Sequence, residues 1–227
     1  MLPAAPALRR LLWLIAALVP AITHAQPGAG AKVDAGALLA ELRQGGLVVY
    51  FRHTKTLRQH DHEARMRAAG TLDPDKCETQ RNLSEEGFVE AQRQAEAVKR
   101  LAIPVGRVYS SRYCRAWQHA AYFASRLEYS EAATPDRNAE KAAALQVMLN
   151  TPPVPGTNTF IFGHGGVLWQ ATDFDSIESE TFVFRPAKAG RAQLVASIRM
   201  EEWDDLLAGR ACCAPRAFWV GKPPAGP

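Results

Sequence analysis

The chain has 227 residues, 47% of them hydrophobic and 22% charged, with a formal net charge of +4. That size suits one domain with short appendages, and the composition excludes disordered, fibrous and collagen-like classes. No Lys/Arg run or basic stripe accompanies the mild positive charge, which argues against nucleic acid as a partner.

Arg9 and Arg10 precede an apolar run from Leu11 to Ala21, and Thr23 and Ala25 are small residues at the positions a signal peptidase inspects. A secretory signal peptide over residues 1–25, cut after Ala25, is predicted, which makes the mature protein periplasmic or secreted. The apolar run is about half the ~20 residues a membrane span needs, so no stable membrane insertion is expected after cleavage. In an oxidising compartment Cys77, Cys114, Cys212 and Cys213 can pair, with three connectivities open to them. No C-x-x-C occurs, which argues against a zinc ribbon or a thioredoxin-like motif.

Residues 26–32 read as a loose leader. Asp34 caps a short helix with Leu38, Leu39 and Leu42 inward and Gly45 beyond its end. Gly46 to Thr54 is an apolar run closed by Arg52 and His53, read as a buried strand over 47–51 with a charged end. A long polar stretch follows, from Thr54 to Asn82, predicted to be an insertion over the strand end or to carry a small helix. Ser84 caps the next helix, whose buried face is expected at Phe88, Ala91, Ala95 and Val98. A second strand is predicted at 107–111, then a helix with Ala116, Ala120, Phe123 and Leu127 on one side. Another helix is predicted at 138–149, a third strand at 159–162, later strands at 182–184 and 194–198, and a last helix at 200–208. The Pro/Gly-rich tail, 209–227, is expected to hold little regular structure. Strands alternating with helices imply an α/β three-layer sandwich over 26–208, a mostly parallel central sheet flanked by helices.

Three predicted strands end alike: Arg52 and His53, then Ser110, Ser111 and Arg112 with Arg115 a helical turn on, then His164 among Gly163, Gly165 and Gly166. If the strands are parallel, these ends meet at one edge of the sheet, where open α/β proteins bind ligands. Guanidinium and imidazole groups gathered there suit a dianion, because arginine offers a planar fork of donors to phosphate oxygens. The glycines around His164 are read as letting backbone approach a ligand closely.

Here the sequence resembles the histidine phosphatases, a superfamily that includes the cofactor-dependent phosphoglycerate mutases. Arg52-His53 matches the family's Arg-His signature after the first strand. Asn82 to Gly87 resembles its Leu-Thr/Ser-x-x-Gly element, Ser110 to Ala116 its Ser-Ser-x-x-x-Arg-Ala element, and Gly163-His164-Gly165 its second histidine motif. The resemblance implies a phosphomonoester hydrolase in which His53 attacks phosphorus, giving a phosphohistidine that water hydrolyses. Arg52, Arg115 and His164 would hold the phosphoryl oxygens, His164 protonated by virtue of the bound phosphate. A carboxyl group would protonate the leaving oxygen, with Glu180 the first candidate, Glu178 the second and Asp61 the third. No metal or other cofactor is implied.

The chain departs from the pattern at Thr54 and His119 and in lacking one Asn. Thr54 stands where Gly or Ala is common and is expected to crowd or hydrogen-bond the pocket. His119 stands where Thr is common and is read as a packing residue, and Arg112 as a loop residue facing substrate or solvent. The Asn that mutases carry after the Arg-His pair has no match, which favours a phosphatase over a mutase. Gly163 to Gly166 also resembles the oxyanion loop of lipases, but no G-x-S-x-G elbow accompanies it. His60 to Glu63 is read as a solvated polar loop rather than a metal site. The alternative from another class is a non-catalytic binder of phosphorylated or anionic ligands on the same fold.

Overall fold

A computed structural model describes residues 33–58, 60–135 and 138–213, without the side chains of His60 and Asp61. The predicted signal peptide with its cleavage site, and the tail beyond 213, lie outside the described residues. The first helix, α1 (Ala35–Gln44), starts where the Asp34 carboxylate accepts the Ala37 amide at 2.6 Å and stops at Gly45, whose φ is 82°. Strand β1 (Val48–Arg52) follows, buried on both faces. The polar insertion carries a helix, α2 (His60–Ala68), and a 3-10 turn at Cys77–Thr79. Ser84 caps α3 (Glu85–Arg100) through the Gly87 amide at 3.1 Å.

The chain then forms β2 (Val105–Ser110), α4 (Cys114–Ala120), β3 (Glu128–Tyr129), α5 (Ala139–Leu149), β4 (Asn158–Gly163) and α6 (Gly165–Thr172). It ends in β5 (Thr181–Arg185), β6 (Gln193–Ile198) and α7 (Glu202–Leu207). The six-stranded sheet has the order β3-β2-β4-β1-β5-β6. The first four strands in that order run parallel, while β5 is antiparallel to β1 and β6 to β5. The antiparallel edge has a physical cause. The chain returns from α6 to the carboxyl end of β1 before β5 begins, with Thr181 opposite Phe51, so β5 must run the other way.

Side-chain alternation along β1 divides the core in two. Val49 and Phe51 join α1, α3 and α7 on one face, and Val48 and Tyr50 join α5 and α6 on the other. Two expected helix faces differ in detail. The buried face of α3 is Gly87, Glu90, Ala91, Gln94, Ala97 and Val98, and Phe88 is exposed. The rotation follows from Gly87, where any Cβ would run into the Lys55 carbonyl; the helix docks its glycine on the chain just after His53. Helix α4 stops at Ala120, so Phe123 and Leu127 pack on the core from beyond it.

The cysteines pair as Cys77–Cys114 and Cys212–Cys213. The start of the tail is therefore more ordered than its composition implies. Cys212 and Cys213 are buried in the same apolar cluster as Trp203, and the Val33 amide donates to Cys212 O at 3.0 Å. Among the described residues no helix is long and apolar enough to cross a membrane.

Candidate active site

Register decides what meets at the sheet edge. Arg52 lies opposite Gly163 across β1 and β4, and Ser110 opposite Phe162 across β2 and β4. The pairing continues one residue past the strands: His53 N donates to Gly163 O and Ser111 N to Phe162 O, both at 3.0 Å. The three charged strand ends of the sequence are thereby neighbours in space.

His53 is held from both sides, because Ser179 N donates to its carbonyl at 3.0 Å. Its ring is 2% exposed, and Nδ1 lies 2.9 Å from Thr54 O. A carbonyl only accepts, so Nδ1 carries the proton and Nε2 is the basic nitrogen. Burial, and then the Arg115 charge, hold the imidazole well below its ordinary pKa, which keeps it neutral. The Thr54 contribution is thus its carbonyl; its hydroxyl is buried with no partner.

The His164 ring centre is 5.2 Å from that of His53. The Tyr50 hydroxyl ties its backbone down, accepting from His164 N at 2.7 Å and donating to His164 O at 2.9 Å. His164 Nε2 sits 3.0 Å from Ser111 Oγ, which already accepts from Tyr113 N. The other ring nitrogen, Nδ1, is buried with no partner among the described residues. Burial first, and Arg115 next, push this imidazole well below its ordinary value too, so without a ligand His164 is neutral. The protonated His164 expected from the sequence would require a bound anion to offset those causes.

Arg52 donates from Nη1 to Ser176 O and lies against Gly165. Arg115, 3% exposed, stacks over the Tyr113 ring at 5.1 Å, and the Tyr113 ring meets His164 edge-on at 5.5 Å. Nε of Arg52 and Nε of Arg115 are buried with no partner. Arg52 and Arg115, whose charges both act on His53 and His164, thus bring buried guanidinium Nε–H groups that have no partner among the described residues to the neighbourhood of the two imidazoles. Buried donors left unmatched carry a cost of about 1–3 kcal/mol each, so such a cluster marks a place built for an acceptor.

No family model and no curated protein matches this sequence. Solved structures do. The protein histidine phosphatase SixA, complexed with tungstate, superposes with a TM-score of 0.50 at 17% identity, over 69% of this chain and 98% of that one. The chain has the histidine phosphatase fold. A mycobacterial glucosyl-3-phosphoglycerate phosphatase aligns at 13% identity and TM-score 0.45, over 66% and 98% of the two chains. A phosphoserine phosphatase from Entamoeba histolytica aligns at 15% and 0.44, over 66% and 95%.

On this histidine phosphatase fold the sequence reading missed two charged residues. Arg81, directly before the Asn82-Leu83-Ser84 element, acts by its charge on His53, His164, Arg52 and Arg115, and its carbonyl accepts from Arg115 Nη1 at 3.2 Å. Glu63 is ion-paired with Arg115 at 2.7 Å and is no solvated loop residue. His62 Nε2, its neighbour, bonds to Glu78 O at 2.8 Å. The only sequence signal for either was a charge beside a motif or inside a polar run.

The three proposed proton donors are placed differently. Glu178 accepts from Thr56 Oγ1 at 2.7 Å and pairs with Arg81 at 3.4 Å, and its charge is the largest acting on Arg52. Glu180 is buried, accepts from Ile177 N at 3.0 Å, and is pushed up by burial against the pull of that amide and of Arg199. Asp61 is on α2, and its side chain lies outside the described residues. His119 packs edge-on against Phe51 and Phe162, as read from the sequence, and Arg112 forks onto the Asp75 carboxylate. The glycines beside His164 make room for protein rather than ligand: Gly163 for the Tyr50 hydroxyl and Gly165 for Arg52.

Proposed function

We propose that this protein is a phosphatase that hydrolyses a phosphomonoester through a phosphohistidine on His53. The observation that carries the reading is the convergence of a neutral, tautomer-fixed His53 with His164 and the unmatched donors of Arg52 and Arg115. His53 Nε2 attacks phosphorus as the bond to the leaving oxygen breaks, and that oxygen takes a proton from a carboxyl group. Water then attacks phosphorus, giving a proton to that carboxylate as the N–P bond breaks, which releases phosphate and restores both the imidazole and the carboxyl group. The guanidiniums and His164 offset the charge on the transferring oxygens.

Glu180 has the raised proton affinity and Glu178 the place beside Arg52 and Arg81. Substrates separate them: the acid is the carboxyl whose Gln variant slows an alkyl phosphate while sparing nitrophenyl phosphate, whose leaving group needs no proton. A cavity of about 320 Å³ lies behind Tyr113, lined also by Arg67, Leu72, Arg112, Glu131 and Thr134. Half of its lining, Arg67, Gly70, Leu72 and Pro74, comes from the 55–82 insertion, which in this reading selects the leaving group. Export from the cytoplasm is part of the proposal; it rests on the pattern of residues 1–25 and is supported by two disulfides.

The test is phosphate release by the mature protein across sugar, inositol, lipid-linked and protein phosphates, beside His53→Ala. Turnover abolished in the variant and untouched by EDTA is the expected result. Phosphate binding without turnover, equal in both proteins, would make it a binder, and loss of activity on chelation would overturn the metal-free mechanism.

A further inference from the structure

We propose that Glu63 is a positioning residue, which grips the end edge of the Arg115 guanidinium so that its side edge is aimed at the phosphoryl group. The inference rests on the phosphatase reading above. Arg115 Nη1 donates to Glu63 Oε2 at 2.7 Å and Nη2 to Oε1 at 3.4 Å, so the carboxylate spans the end of the guanidinium. Nε, on the side edge, is the buried donor with no partner. A planar fork cannot turn without losing such a pair, so occupying the end edge fixes the direction of the side edge.

Glu63 is in turn fixed through the same oxygen: Oε2 also accepts from Arg81 N at 2.9 Å. Burial alone would push this carboxyl up, but Arg115 and the Arg81 amide together hold it below its ordinary value, so it stays ionised and grips. The segment bearing both residues is stapled to α4 beside Arg115. Cys77 is bonded to Cys114, Gln80 Oε1 accepts from Cys114 N at 2.8 Å, and Arg112 pairs with Asp75.

This role predicts a split that mere structural support would not give. Glu63→Gln removes a negative charge from a pocket that must attract an anion, while it loosens the aim of Arg115. Inorganic phosphate, measured by calorimetry on the full disulfide-bonded chain, is expected to bind as tightly or more tightly. Meanwhile kcat on nitrophenyl phosphate falls about 10- to 100-fold, since misplacement by about 1 Å costs of that order. Glu63→Asp restores part of kcat, and in an Arg115→Ala background Glu63→Gln adds no further loss. Wild-type kcat in Glu63→Gln, or an undiminished further loss in the Arg115→Ala background, would overturn the proposal. Should Glu63→Gln not fold, Glu63→Asp carries the same two comparisons. Turnover by wild type and none by His53→Ala keeps the phosphatase reading whatever Glu63→Gln does, so the two failures are distinguishable.

Discussion

Acid should destabilise this fold before its carboxylates titrate, because three of its imidazoles are buried and neutral. His53, His119 and His164 are all essentially inaccessible, burial is the leading cause at each, and His119 is pushed down to about 3. In the unfolded chain each titrates near 6.5, so below that pH the unfolded state binds more protons and stability falls as pH drops. From pH 7.5 to 5.5 each imidazole accounts for about 1.4 kcal/mol, and the three together for about 4 kcal/mol. Glu63, held low, titrates beneath this window. Glu180, raised by burial, takes up its proton in the folded state and acts in the opposite sense, so 4 kcal/mol is an upper value. Urea unfolding across this range, in phosphate-free buffer, reads the effect. His119→Phe keeps the aromatic cluster of Phe51, Phe123 and Phe162 and removes one titrating group, so it should lower the pH slope by about a third. Equal stability at both pH values, or an unchanged slope in His119→Phe, would refute the account.

Arg115→Ala should lower kcat/KM for nitrophenyl phosphate by about 100- to 1,000-fold, the range for removing one preorganised donor to a transition-state oxygen. Gly165→Ala puts a Cβ 3.0 Å from Arg52 Nη1 and 2.8 Å from Ser176 Oγ, so Arg52 must move; steady-state kinetics should show a fall in activity larger than the fall in melting temperature. Replacing Cys77 and Cys114 by serine frees a loop of sequence separation 37, worth about 4 kcal/mol by the chain-entropy relation. In calorimetry that is a melting temperature about 8–16 °C lower.

Residues that act through their immediate neighbours were legible early. Asp34 and Ser84 cap helices by reaching amides three residues on, and Gly45 stops α1 by a backbone angle of its own. The apolar run of β1 and the charged pair behind it could be read the same way. The parallel pairing that brings Arg52, His53, Ser111 and His164 together was an inference from chain topology, and the register of β1, β2 and β4 bears it out.

What local pattern does not encode is which distant charge answers another. Nothing in the run from His60 to Glu63 says that its last carboxylate lies against Arg115, 52 residues away, or that Arg81 enters the same pocket. The cysteines permitted three pairings, and the folded chain uses one. The sequence by itself determined most of the elements, their order and the basic groups that close three of the strands, because each follows from short-range sterics, periodicity and residue chemistry. Only the tertiary structure decided how the insertion closes over the strand ends, which nitrogen of His53 is basic, and which carboxylate holds Arg115, since those depend on distances between segments that sequence spacing does not fix.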